Sequence, residues 1–581
     1  MLREIKNIMS KKEKTHLLLI FFLILGKALL DLVGVASILP LITILTAPEE
    51  NMVATINSNV ILKLFATIFN QWDADKLVII IIISFCILFL IKALYGMLHT
   101  YVINRFTLNY SRRLTRRLMQ TYLFFPYEFH LDNNSSTLIR KSTYDVEMFT
   151  TTINDILNLL VNLVTATAIL IYLIISDWRI ALIAGFVVVV FGIILVFILK
   201  PKSKRLGKET QTLNSYNYKF LSQAFNGIKE SKISNKEMYF IDEYDQNRGK
   251  IINLTLKKNL LNAIPGQSIE LIGMIGICVS LLVIMFVTKD TTKVELVNKF
   301  AVFAYAIIKL LPAVTSITNV LNYMNYYKAS VDSLSDDLKI APLENMETMS
   351  GNSQPMPFSN SIKVEDVSYF YRSIPDKKVL NNINVTIEKN SSVAFCGASG
   401  AGKTTLIDLI LGLLPCREGK ILCDGVDIET NMRGWRTNIS YIPQTIYLTD
   451  DTIRNNVAFG FNKESIDDNK IWEALEMAQL KEYVEALPNK LDTVIGERGV
   501  RMSGGQRQRI GIARAFFRDT NIVVFDEATS ALDYETERNI LDHISKFSRN
   551  RTLIIITHRL NTIESCDHIY KVESGLLTKV K

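Results

Sequence analysis

Apolar positions are spread unevenly along this chain. Uninterrupted runs such as KLVIIIIISFCILFLI (76–91) and ALIAGFVVVVFGIILVFIL (181–199) crowd the first part, whereas the chain from about Ser361 onward has the mixed pattern of a soluble α/β domain. A helix that crosses a bilayer needs about 20 predominantly apolar residues. Six segments meet that length: 16–47, 77–104, 151–176, 179–202, 262–288 and 297–327. The first is long enough to break near Pro40, and the third and fourth are separated only by SDWR (176–179), which predicts a tight helical hairpin.

The connections between the runs are of two kinds. The segments 105–149 and 201–261 are rich in Arg and Lys, while 48–76 and 177–179 are poor in them. Basic connections stay on the cytoplasmic side, so both termini and the two long connections are expected in the cytoplasm. The stretches 104–129 and 205–230 carry apolar residues at helical spacing, which predicts that the membrane helices continue into the cytoplasm. The polar turns at 132–140 and 226–237 are placed to cap such extensions and to touch another domain. The amphipathic stretch 59–72 is too short to span; it either lies on the outer membrane surface or packs against neighbouring helices. The expected organisation is a transmembrane domain with cytoplasmic helical extensions over 1–338, a polar linker containing Pro and Gly over 339–360, and a second domain over 361–581.

Composition supports this division. Of the 581 residues 49% are hydrophobic, and the mean hydropathy of +0.20 is unusual for a wholly soluble protein. The net charge of +8 does not signal nucleic acid, because the basic residues cluster in the connections between apolar runs. The six cysteines form no CxxC pair and no Cys/His cluster, which leaves reduced thiols as the plain reading. The apolar segment after the basic N-terminus exceeds a signal-peptide core and is expected to remain as the first span.

The second domain carries the chemistry. SVAFCGASGAGKTTLIDLILGLL (392–414) reads as a buried strand, a glycine-rich loop and a helix, and Gly397 to Thr404 fit G-x-x-x-x-G-K-[ST]. In such a loop (Gly397, Ala398, Ser399, Gly400, Ala401, Gly402) the backbone N–H groups wrap phosphates. Lys403 supplies a cation to the β- and γ-phosphates, the Thr404 hydroxyl faces Mg²⁺, and the helix N-terminus adds a favourable dipole. NIVVFDEATSALD (521–533) is a second apolar strand ending in two carboxylates. Asp526 fits the metal-coordinating position and Glu527 the one that polarises an attacking water. The competing reading is an acidic pair that caps a helix.

Between these strands lies MSGGQ (502–506), which resembles the signature of ATP-binding-cassette (ABC) proteins, with Met502 where leucine is usual. The remaining cassette elements stand in the same order, and the resemblance covers the whole chain. It implies that Tyr371 stacks on adenine, that Gln444 is the Q-loop glutamine near the metal, and that Glu497 belongs to a loop facing the membrane domain. It further implies that Asp533 ends the D-loop, that His558 senses the γ-phosphate, and that Thr405 belongs to the phosphate-binding set. Ser503, Gly504, Gly505 and Gln506 of one cassette would contact ATP held by another. One chain has one phosphate loop and one signature, so a homodimer is the simplest complete machine. A heterodimer with a different chain remains open.

Six spans ahead of a cassette resemble the exporter branch of this family. The implied fold is an all-α transmembrane domain of six helices joined to an α/β P-loop cassette, and the implied activity is ATP hydrolysis coupled to export or flipping. Charges inside the spans bear on the cargo: Lys27, Asp31, Lys92, Glu270 and Lys309. Such charges are costly and usually face a cavity or a partner. Lys27 and Asp31, four apart, are placed to neutralise each other, while Lys92 and Lys309 have no acidic neighbour close in sequence. Pairing with Glu270 or snorkelling is one reading of the two lysines. The other is a path for an anionic head group. Stretches at 31–43, 91–101, 263–273 and 308–330 resemble bacterial flippases for lipid-linked oligosaccharides of protein glycosylation. Lys92 and Lys309 fall where those flippases have arginines, and Gly266 stands where they have a third. The implied cargo is a lipid-linked oligosaccharide or similar phosphate-bearing lipid, with a peptide, drug or lipid A-like cargo as the alternative.

Overall fold

The computed structural model describes residues 8–37, 74–176, 178–287, 293–340, 354–527, 539–540, 550–557, 563 and 566–581. The expected break at Pro40, the amphipathic stretch 59–72 and most of the linker lie outside them. The chain divides into two units. One is Met1–Phe125 with Asn133–Met349, and the other is Pro126–Asp132 with Ser350–Lys581.

Among the described residues the first unit has six long helices, α1 (Lys11–Ala36), α2 (Ala74–Phe124), α5 (Val146–Ser176), α6 (Trp178–Asn226), α8 (Glu237–Val287) and α9 (Lys293–Tyr326); two short helices, α3 (Tyr127–Asp132), which belongs to the second unit, and α4 (Ser135–Arg140), lie between α2 and α5. A six-residue helix α7 (Ile228–Ile233) joins α6 to α8, and α10 (Lys328–Ile340) follows α9. Each long helix contains one apolar run of the sequence. A continuous helix is what such a run must form in lipid, where each backbone polar group needs an internal partner. Among the described residues, the stretches Lys11–Ala36, Ile82–Phe124 and Ser135–Ile175 are long and apolar enough to cross a membrane. The helices α2, α6 and α8 have 51, 49 and 51 residues. At 1.5 Å per residue each exceeds a ~20-residue span by roughly 45 Å, as the helical spacing of 104–129 and 205–230 predicts.

Helix ends follow local chemistry. Ser10 caps α1 reciprocally: its hydroxyl accepts from Glu13 N (3.3 Å), and the Glu13 carboxylate accepts from Ser10 N (2.8 Å). The Asn134 side chain accepts from Ser136 N at 3.0 Å to start α4. The chain then passes through a π-helical turn, Lys141–Asp145. There Arg140 Nη1 donates to both oxygens of Asp145 at 2.7 Å, with both side chains buried. Beside it, Asp337 of α10 accepts from Tyr122 Oη and Lys141 Nζ, each at 2.7 Å.

Beyond the spans, α6 and α9 cross closely at Gly207. A Cβ there would lie 1.9 Å from the carbonyl oxygen of Tyr326, so only glycine fits without moving one helix. Gly207→Ala is expected to cost about 1–3 kcal/mol through this forced displacement. The check is a lowered melting temperature in detergent. An unchanged melting temperature would mean the crossing yields freely.

The described residues of the second unit form two sheets. One is antiparallel, in the order β2 (Leu380–Glu388), β1 (Ser361–Tyr369), β4 (Glu418–Cys423), β5 (Val426–Asp427). The other has the order β10 (Leu576–Lys579), β9 (His568–Glu573), β3 (Ser392–Cys396), β8 (Thr552–Ile556), β7 (Ile522–Asp526), β6 (Ile439–Ile442). It is parallel from β9 to β6, with β10 antiparallel at the edge. Its central strands are short and mainly apolar, with polar residues only at their ends, as β-structure covered on both faces requires; all five residues of β7 and of β8 are buried. Chemistry therefore gathers at the strand ends, where β3 runs into the glycine-rich loop and helix α11 (Lys403–Ile410).

Candidate functional site

The glycine-rich loop is shaped by close backbone approach. Gly397 has φ +147°, and a Cβ on it would meet the carbonyl oxygen of Val572 at 2.2 Å, so a side chain is excluded there. Lys403 opens α11 and is buried; its Nζ donates to the carbonyl oxygens of Gly397 and Ala398, both at 2.9 Å. The lysine thus closes the loop over its own N-terminal end. Ser399 and Gly400 at the tip are exposed, as is Thr404, while Thr405 is buried. The Tyr371 and Thr405 hydroxyls share a hydrogen bond of 3.1 Å, which fixes the tyrosine beside the loop.

The parallel register brings the second set of groups to the same edge. Tyr441 of β6 donates to Asp526 Oδ2 at 3.0 Å. Burial raises the Asp526 carboxyl above its ordinary value, and the Glu527 charge adds to this against the opposing effects of Tyr441 and Lys403. Asp408 of α11 is pushed up to about 6, first by burial and then by the Asp526 charge. Glu527 has a left-handed backbone (φ +48°) at the end of β7, its N–H donates to Ile556 O at 2.9 Å, and Gln444 Nε2 donates to Glu527 Oε2 at 2.8 Å. Two residues marked from separate motifs, Gln444 and Glu527, are therefore hydrogen-bonded partners.

These groups fit a magnesium nucleotide. The loop offers N–H donors and a lysine whose partners among the described residues are carbonyl oxygens, and the Asp526 carboxylate and Thr404 hydroxyl are hard oxygen donors. Among the described residues no cluster of three or more His, Cys, Asp or Glu could hold a metal alone. Mg²⁺ requires no such cage, being held by one or two protein oxygens together with phosphate and water. Once bound, it would neutralise charge on the phosphate oxygens.

The signature residues lie elsewhere in the unit. Ser503 caps helix α12 (Gly504–Arg518): its hydroxyl accepts from Gln506 N at 3.2 Å, and Gln506 Oε1 accepts from Ser503 N at 2.8 Å. Gly504 and Gly505 form the first turn of that helix and are partly exposed. Asp533 and His558 lie outside the described residues.

Two groups of functional interest were not marked by the sequence. The first is Tyr441, whose partner Asp526 is 85 residues away. The second is Glu128 on α3, which clusters with the cassette and not with the helices that flank it in sequence. Glu128 is buried and accepts from Arg417 and from the Tyr369 hydroxyl (3.4 Å), while Arg372 Nε lies 3.4 Å from its second oxygen. Tyr369 in turn meets Tyr371 edge to face, ring centroids 5.1 Å apart. The acidic residue is thus two side chains from the aromatic that the cassette resemblance places on adenine. The turn that makes this contact spans 126–132, just ahead of the polar stretch 132–140.

In the spans the pairing differs from the sequence expectation. Asp31 does not neutralise Lys27 on its own helix. Its partner is Lys92 of α2, Nζ to Oδ1 2.8 Å, and Glu270 plays no part in this pair. Packing of α1 on α2 is the reason. A Cβ on Gly34 would lie 3.1 Å from Lys92 Nζ, so the missing side chain makes room for the ammonium, and Tyr95 one turn on donates to Leu23 O at 3.0 Å. Lys27 instead lines a groove of about 1020 Å³ with Ala93, Gly96, Met97, Tyr101 and Arg105. Lys309 lies on α9, and its side chain is outside the described residues.

Comparison with known proteins bears on both units. The model of the family "ABC transporter transmembrane region" matches residues 41–310, and that of the family "ABC transporter" matches 380–530. An ATP-dependent lipid A-core flippase of Methylobacillus flagellatus is 29% identical over 545 residues, which cover 93% of this chain and 89% of the flippase. One of Paraburkholderia xenovorans is 28% identical over 493 residues, 83% of this chain and 79% of that protein. Among solved structures, a bacterial Atm1-family ABC exporter with ATP bound aligns with a TM-score of 0.77 at 20% identity, over 96% of this chain and 94% of that one. The likeness is one of fold: a helical transmembrane unit followed by a cassette.

Proposed function

Since the chain belongs to the ABC transporters of the exporter type, an ATP hydrolase coupled to transport, we propose that its cargo is a phosphate-bearing lipid, moved between leaflets of the inner membrane, and a lipid A-like glycolipid ahead of a lipid-linked oligosaccharide. The observation that carries this reading is the near full-length similarity to proteins named lipid A-core flippases. The oligosaccharide reading rests only on short stretches of the spans. The lysines at 92 and 309 suit either cargo, since both present phosphate to the bilayer interior.

The nucleotide half of the cycle is assigned to the residues of the strand ends. Lys403 leaves the carbonyls of Gly397 and Ala398 to meet the β- and γ-phosphates, Thr404, Gln444 and Asp526 face Mg²⁺, and Glu527 orients the attacking water. Ser503 and Gly505 close over the phosphates of a second cassette, so the working form is a homodimer with both termini and cassettes in the cytoplasm. Support for a second copy comes from the turn around α7. Phe225 and Ile233 there are 71% and 73% exposed, and apolar residues of that size suit a protein partner. His558 and Asp533 are assigned the γ-phosphate and the dimer contact.

The test is reconstitution into liposomes that carry lipid A, a polyprenyl-pyrophosphate oligosaccharide or a neutral glycolipid. Lipid A is expected to cross in an ATP-dependent manner, faster than the neutral glycolipid by about tenfold or more. Vigorous ATP hydrolysis with neither phosphate lipid moved would overturn the proposal. Faster movement of the oligosaccharide lipid would return the reading to that cargo.

A further inference from the structure

The pair Asp31–Lys92 lies in a region with more cations than it needs. Lys27 and Arg105 line the adjoining groove, and among the described residues neither is paired with a carboxylate; Arg105 Nη1 donates to the Tyr101 hydroxyl at 3.1 Å. Thr100, Asn104 and Asn109 supply further polar atoms along the same wall. His99, only 2% exposed, lies within electrostatic reach of Lys27 and Asp31, and neither of its ring nitrogens has a hydrogen-bond partner. Lys27 and Lys92 against the one carboxylate of Asp31 leave an excess of one positive charge around the pair, which suits an anionic phosphate oxygen, while Arg105, roughly 20 Å further along α2, carries positive charge to the far end of the groove. The Lys92 ammonium is also held 5.5 Å above the Phe89 ring, so it is positioned on two sides while remaining partly accessible at 19%.

We propose that Asp31 is a built-in counter-ion for Lys92, an intramolecular stand-in for phosphate, which a phosphate head group displaces on loading. This rests on the phosphate-lipid reading given above. Its physical logic is that of a partly populated competent state. A lysine held by an internal carboxylate binds an external anion only while the pair is open, and the apparent affinity falls by that fraction. The empty site also avoids an unpaired charge among apolar helices. An anion able to win against a carboxylate at 2.8 Å must carry comparable or greater charge, so neutral lipids are rejected without a steric filter.

The experiment measures ATP hydrolysis by the full-length protein in nanodiscs of neutral lipid, titrated with phosphatidic acid or with diacylglycerol of the same chains. Asp31→Asn is expected to lower the concentration of phosphatidic acid giving half-maximal stimulation by roughly three- to tenfold, with no response to diacylglycerol. Lys92→Ala should abolish the response, and Asp31→Asn should change nothing further in the Lys92→Ala background, because the two act as one unit. Asp31→Glu, which keeps the charge, should restore most of the wild-type value. Asp31→Ser carries the same expectation if the asparagine variant does not fold. An unchanged or raised half-stimulating concentration in a folded Asp31→Asn protein overturns the proposal, as does absence of any response to phosphatidic acid in both wild type and variant. The two readings fail separately. If the wild type does not flip lipid A while Asp31→Asn still tightens the phosphatidic acid response, the cargo assignment falls and the counter-ion stands. If lipid A is flipped and Asp31→Asn changes nothing, the reverse holds.

Discussion

Glu527→Gln is expected to lower phosphate release by about 10²–10⁴-fold while ATP binding stays within about threefold of the wild type. The argument is one of charge at fixed shape. The Glu527 backbone is pinned in a left-handed conformation by the hydrogen bond from its N–H to Ile556 O, and Gln444 holds its second carboxylate oxygen at 2.8 Å. A glutamine can occupy the same place and accept from Gln444 through its carbonyl oxygen, so geometry is kept. What it lacks is a negative charge to polarise water. Binding rests on other atoms, those of the glycine-rich loop, Lys403 and Tyr371, whereas the described partners of Glu527 are Ile556 O and Gln444. The measurement is steady-state phosphate release beside binding of a fluorescent ATP analogue. Release within tenfold of the wild type would exclude Glu527 as the group that activates water and would return it to a helix-capping role.

Residues that act within one motif were legible in the sequence because a motif is a short piece of backbone with fixed spacing. Ser392 through Ile410 form one strand–loop–helix, with Gly397 to Gly402 as its loop. The long helices of the first unit were legible for an equally local reason, since each apolar run satisfies its own backbone bonds as a helix. Pairings set by how elements pack were not legible. Tyr441 reaches Asp526 because β6 lies beside β7 in a particular register, and nothing in YIPQ states that register. Asp31 reaches Lys92 and not Lys27 because Gly34 opens the α1–α2 contact at that depth. The cargo was the least legible feature. Lysines in a span report a charge to be met, not the molecule that meets it, and the curated relatives shifted the balance toward lipid A where short likenesses in the spans had pointed to an oligosaccharide.

Glu128 is the clearest example of a residue whose role needs the fold, and replacing it by alanine should separate hydrolysis from transport. It sits in a six-residue helix that follows directly on the long helix α2, yet that short helix packs with the cassette. Its buried carboxylate joins Arg417 and Tyr369, and Arg417 also lies over the rings of Tyr369 and Phe370, each 5.5 Å away. Burial raises the Tyr369 hydroxyl above its usual value, with the Glu128 charge acting in the same direction, so the tyrosine stays a neutral donor to the carboxylate. Removing one partner of a buried pair leaves the other charged and unsatisfied, at a cost of about 3–5 kcal/mol. That is enough to release the short helix from its seat. The groups that hold and cleave ATP stay in place, because Tyr371 keeps its bond to Thr405 and Lys403 its loop. Hydrolysis by Glu128→Ala is therefore expected within about threefold of the wild type, with cargo moved per ATP consumed reduced by about tenfold or more. Glu128→Gln, which retains an acceptor for Tyr369 and Arg417 but loses the charge, should fall between. Flipping and phosphate release measured on the same liposomes decide the matter. If both rates drop by one common factor, Glu128 stabilises the cassette and carries no signal; if only flipping drops, the contact is the mechanical link through which nucleotide state reaches the helices.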